Sequence, residues 1–127
     1  MKALIFLFSG LLLLGSTSLA FADSIEWNCK MSMGGNATSV KMCIENETKA
    51  KNEIESMPVE LGIKSYCERH SGGSYTILQA CITHQQEIQT RLSKRQVEPN
   101  ILAYCKKIVG DSVSLLESCI NEASKKP

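Results

Sequence analysis

The stretch Cys67-Glu68-Arg69-His70-Ser71-Gly72-Gly73-Ser74-Tyr75-Thr76-Ile77-Leu78-Gln79-Ala80-Cys81 decides the fold. Two Cys stand 14 residues apart, with Gly-Gly-Ser at their midpoint. On one straight helix they would lie roughly 21 Å apart, whereas a disulfide needs Cα atoms within about 7 Å. If these two Cys are bonded, the chain must turn between them. Gly72 can end a first helix with positive φ, and Ser74 can cap the N-terminus of a second. Ser74 is seven residues from each Cys, so a turn there sets the two sulfurs opposite each other in an antiparallel helical hairpin.

Outward from this stretch, the pattern recurs. The six Cys stand at 29, 43, 67, 81, 105 and 119, a period of 38 residues. Ile25, Ile63 and Ile101 share one phase; so do Gly34, Gly72 and Gly110, the caps Asn36, Ser74 and Ser112, and Ile44, Ile82 and Ile120. A fixed period of this length marks a repeat array. In each first helix Ile and Cys are four apart and share a face. In the second helix a stripe steps by three and four: Val40, Cys43, Glu47, Ala50, Ile54, then Leu78, Cys81, Gln85, Ile88, Leu92. The third copy begins it with Leu116, Cys119 and Ala123 and then stops, as terminal repeats do. Pro58 and Pro99 mark the starts of the next short helices, and Ser93 to Asn100 reads as a linker.

The predicted fold is therefore all-α: three tandem disulfide-stapled hairpins, about 23–57, 58–98 and 99–127, after an N-terminal signal peptide at 1–22. Two pairings respect the repeat. One bonds within copies, Cys29–Cys43, Cys67–Cys81 and Cys105–Cys119; the other bonds neighbours, Cys43–Cys67 and Cys81–Cys105, leaving Cys29 for Cys119. Turn geometry favours the first, at about 3 kcal/mol of stabilisation per loop in the chain-entropy account.

The signal peptide is read from Lys2, the apolar run Ala3 to Leu14 and the small-x-small triplet Ala20-Phe21-Ala22. Cleavage is expected between Ala22 and Asp23, in a periplasmic or secreted protein. The chain has 14 Lys and Arg against 13 Asp and Glu, and loss of Lys2 brings them level. A neutral chain without a basic run lacks the footprint of a nucleic-acid binder. No segment of the mature chain is apolar for the 20 or so residues that a membrane span requires. An even Cys count in an exported chain points to structural disulfides.

Helical hairpins held by regularly spaced Cys resemble the coiled-coil-helix-coiled-coil-helix proteins of the mitochondrial intermembrane space. Those have closer Cys and a second disulfide per hairpin, so their function is not carried over. The segments Ser65-Tyr66-Cys67, Gly72-Gly73-Ser74-Tyr75 and Cys81-Ile82 also resemble repeats in exported bacterial proteins with Cys-paired helical hairpins, a likeness that implies an envelope location and no particular activity.

No catalytic constellation emerges. A nucleophilic Cys must be a free thiolate beside a base, and every Cys here belongs to a regular pair. No carboxylate pair suited to acid–base work can be nominated. The expectation is a non-enzymatic module that binds another protein of the envelope or extracellular space, without a cofactor. The aromatic contact candidates are Trp27, Tyr66, Tyr75 and Tyr104. The alternative is periplasmic copper binding through Cys29, Met31, Met33 and Met42, with His70 and His84 as nitrogen donors; disulfide formation would consume its thiolates, and no metal site is assigned. Glu47 and Gln85 interrupt the apolar stripe and are expected to sit partly exposed, since buried polar groups need partners.

Overall fold

A computed structural model describes residues 19–125, with side chains described from Ser24 onward. Of the expected leader, residues 1–18 lie outside the described residues. Six helices and no strand occupy the described chain: α1 (Leu19–Ser32), α2 (Ala37–Ser56), α3 (Leu61–His70), α4 (Tyr75–Ser93), α5 (Pro99–Val109) and α6 (Val113–Ala123).

Each predicted turn forms. Gly34, Gly72 and Gly110 take φ of 60°, 60° and 62°, a conformation that a side chain would strain. Asn36, Ser74 and Ser112 are the N-caps of α2, α4 and α6. Their side-chain oxygens accept from the backbone N–H of Ser39, Ile77 and Leu115. The pairing is the one within copies: Cys29–Cys43, Cys67–Cys81 and Cys105–Cys119, each with Cα atoms 5.7 Å apart. The neighbour pairing is excluded, and no cysteine is free.

Hairpin one is α1 with α2, hairpin two is α3 with α4, and hairpin three is α5 with α6. The second helices stand in a row, α4 packing against both α2 and α6, while each first helix packs on its own partner. The array is thus stapled by disulfides within hairpins and held between them by the connecting chain and noncovalent contacts. The core lies where the row and the first helices meet. Ile63, Ile82, Ile88 and Ile120 are fully buried beside Cys29, Cys67 and Cys105. Each fully buried Ile contributes roughly 1.5–3 kcal/mol.

Helix ends differ slightly from expectation. Pro99 opens α5 at its first position, where its missing N–H costs nothing. Pro58 does not open α3, which starts at Leu61 with Glu60 as N-cap; Pro58 instead follows the C-cap of α2, Met57, where it bars continuation. The third second-helix is short, 11 residues against 20 in α2 and 19 in α4.

Candidate functional site

The buried polar residues that tie the second helices together are the two expected to be partly exposed. Glu47 and Gln85 are both buried, at 8% and 3% exposure. Their partners are the N-termini of the next hairpin's second helix, whose first N–H groups have no acceptor within the helix. Glu47 accepts from the backbone N–H of Tyr75 at 2.5 Å and of Thr76 at 3.4 Å, and from the hydroxyls of Thr76 at 2.6 Å and Ser74 at 2.9 Å. One junction further on, the Gln85 carbonyl oxygen accepts from the N–H of Val113 at 2.8 Å and Ser114 at 3.2 Å. Its amide donates to the Ser114 hydroxyl at 3.0 Å. Burial is affordable here because each polar atom meets the unsatisfied end of a helix.

Burial pushes the Glu47 carboxyl up, but the Thr76 and Ser74 hydroxyls and the N–H groups of Tyr75 and Thr76 outweigh it. The net direction is below the ordinary value of 4.5. The positive end of α4 favours the same charge. A recognisable signal for this clamp is present in the sequence: an acid or amide at one phase (47, 85), and a hydroxyl residue at another (Thr38, Thr76, Ser114) just after each N-cap.

The two junctions share this clamp and differ in filling. At the first, Ile54, Ile63, Cys67, Leu78 and Ile82 form a buried cluster, with Met57, Val59 and Tyr75 packed against it and Val113 of hairpin three touching its far side. One period later Arg95 takes the place of Met57, and Val113 that of Tyr75. A ring and a thioether are lost, and a cleft of about 510 Å³ opens between hairpins two and three. Its apolar floor includes Ile63, Leu92, Val97, Leu102, Val113 and Leu116.

The rim charges are unequally engaged. Glu60 accepts a hydrogen bond from Gln89, and Asp111 lies 3.6 Å from Arg69. Arg95 donates to the neutral Asn121 at 2.6 Å. Lys106 has no ion-pair partner among the described residues. Among the described residues Lys106 is therefore the rim charge left open to an anionic group entering the cleft. None of these rim residues carries a motif, and only the inter-repeat substitutions at 95 and 113 could have pointed to the cleft.

The four aromatic candidates separate. Tyr66 and Tyr75 pack on the core cluster, whereas Trp27 and Tyr104 are 64% and 60% exposed. None of the four lines the cleft. The residues of the copper reading are not brought together as ligands. Cys29 is bonded to Cys43, and the Nδ1 of His70 is 2.7 Å from the carbonyl of Tyr66, one helical turn back. Met31, Met33 and Met42 are exposed. Among the described residues no group of three or more His, Cys, Asp or Glu is placed to hold a metal ion.

The fold and site define an all-α array of disulfide-stapled hairpins with one open junction. No family model, curated protein or solved structure matches the chain.

Proposed function

We propose that this is an exported helical scaffold that binds another protein of the envelope or extracellular space through the cleft between hairpins two and three. The observation that carries the reading is the departure of that junction from the filled pattern of its neighbour. Replacing Met57 and Tyr75 by Arg95 and Val113 in register exchanges a packed interior for a recess with an apolar floor and a polar rim that includes the open Lys106. A recess of this volume with a few polar groups at its edge has the character of a ligand site. Its complement is one or two aliphatic or aromatic side chains of a partner, with a carboxylate placed for Lys106.

Export is supported by the leader pattern of residues 1–22 and by three intramolecular disulfides, which form and persist in oxidising compartments. Among the described residues no helix is long and apolar enough to cross a membrane. Copper binding at these residues would lack its soft thiolate, which is held in the Cys29–Cys43 bond.

The test is a photo-reactive benzoylphenylalanine placed at Leu102 on the cleft floor or at Thr83, an exposed site on α4, in the producing cell. Leu102 should give a discrete cross-linked adduct that Thr83 does not, and the added substitution Val113→Tyr should abolish it. Identical adducts from both positions would sink the proposal.

A further inference from the structure

We propose that the outer face of α2 in hairpin one is a docking site for an acidic amphipathic helix of a partner protein, seated as α2 itself sits on α4. This rests on the reading of the chain as a protein-binding module and adds a second surface, remote from the cleft.

The argument is the repeat's own register. In hairpins two and three the second helix begins beneath a side chain from the preceding hairpin. The N–H groups at 75 and 76 donate to Glu47, those at 113 and 114 donate to Gln85, and the hydroxyls of Thr76 and Ser114 complete each clamp. Hairpin one carries the same socket. Asn36 caps α2 by accepting from Ser39 N–H at 3.0 Å, and Thr38 supplies the hydroxyl at the phase of Thr76 and Ser114. Among the described residues no side chain accepts from the N–H of Ala37 or Thr38.

The apolar half of the interface is present as well. Val40 and Ile44 stand at the phases of Leu78 and Ile82, which are 7% and 0% exposed because hairpin one covers them. In hairpin one the pair is only half-buried and, with Ala37, floors a depression of about 670 Å³. The polar socket that is covered at both internal junctions, and the apolar strip that is covered at the first, are open together here.

The two internal junctions also state what covers such a face. The incoming helix presents an acid or amide, then aliphatic residues three and seven positions later: Glu47, Ala50 and Ile54, or Gln85, Ile88 and Leu92. A carboxylate is favoured at the open face, because it meets the positive end of α2 and because two cations, Lys30 and Lys41, border the depression against one acid, Glu45. Those lysines pair with Glu26 and Glu45 one turn away, but exposed pairs of this kind are weak and easily shared. A second copy of this chain stacked head to tail does not supply the acceptor: hairpin three has Ala123 at the phase of Glu47 and Gln85.

The probe is the chain's own junction helix offered in trans. A peptide of residues 37–56 with Cys43→Ser can be held helical by a lactam between Lys41 and Glu45, whose charged ends are 3.9 Å apart in the protein. It is titrated into the oxidised protein isolated from an oxidising compartment and followed by amide and methyl NMR. Saturable binding is expected, with the largest shifts at the Ala37 and Thr38 amides and the Val40 and Ile44 methyls. The peptide with Glu47→Ala should bind at least about tenfold more weakly, as loss of a charge-assisted clamp implies. In the protein, Val40→Lys should abolish binding with the circular dichroism unchanged, and the milder Thr38→Val should weaken it severalfold.

The proposal is overturned by unsaturable binding, or by equal affinity of the two peptides. It is also overturned by shifts at Tyr75 and Thr76, which would mean displacement of the resident α2, or by self-association of the protein through this face. Failure here with an intact Leu102 cross-link would condemn this face alone; loss of the cross-link would condemn the module reading itself.

Discussion

The junction between hairpins one and two and the junction between two and three use one register and reach different interiors. At the first, a carboxylate clamps the α4 N-terminus, and Met57 and Tyr75 pack against a buried cluster. At the second, a carboxamide clamps the α6 N-terminus, and Arg95 and Val113 leave a cleft. The clamp is the constant and the filling is the variable. A repeat array can therefore vary a binding surface at one joint without disturbing the geometry of the next, because helix-end capping sets register independently of how well the interior packs.

The largest difference should appear when each clamp is removed. Glu47→Ala strands several donors around a buried site and should cost roughly 2–4 kcal/mol, while Gln85→Ala, losing neutral hydrogen bonds, should cost about 1–3 kcal/mol. Urea unfolding of the oxidised variants measures both. Equal costs would show that charge adds nothing to the clamp. Hydrogen exchange should speed up at Tyr75 and Thr76 in the first variant and at Val113 and Ser114 in the second.

A smaller effect should follow from converting the second junction into the first. Arg95→Met with Val113→Tyr restores the missing ring and thioether and should raise stability by about 1–2 kcal/mol through added apolar burial. The unfolding midpoint reads this gain. A loss of stability would mean that the cleft is shaped by backbone placement rather than by these two side chains.

The smallest effect separates the clamps by acid. The folded-state value of Glu47 lies below its ordinary 4.5, so its stabilisation is complete above that value and is lost as pH falls through the lower one. Gln85 has nothing to titrate. Below about pH 4.5 the amides of Tyr75 and Thr76 should lose exchange protection before those of Val113 and Ser114, and Glu47→Gln should erase the difference. Parallel loss at both junctions would place the acid sensitivity elsewhere.

Much of this construction is legible in the residues. The Cys period, the Gly at each turn and the cap at 36, 74 and 112 state a local geometry, and local geometry is what propensity and spacing encode. Glu47 and Gln85 were open to misreading for the same reason. In a stripe taken one helix at a time, a polar residue among apolar ones reads as exposed. Its partners are 27 to 29 residues away in sequence and become visible only when hairpins stack. Pro58 stands three residues before α3 instead of at its start, because a proline can close one helix as well as open another. The cleft was hardest to foresee, since it arises from substitutions at 95 and 113 that matter only across a junction.

The stapling within each hairpin, set against noncovalent contact between them, governs how the protein answers a protease. A cut at Gly34-Gly35, Gly72-Gly73 or Gly110-Asp111 falls between bonded sulfurs, so the nicked halves remain one molecule until a reductant is added. A cut after Lys94 or Arg95, exposed at the end of α4, lies outside every sulfur loop and severs hairpin three from the rest with nothing but packing to retain it. The same number of broken peptide bonds is thus harmless or ruinous according to which side of a cystine it falls.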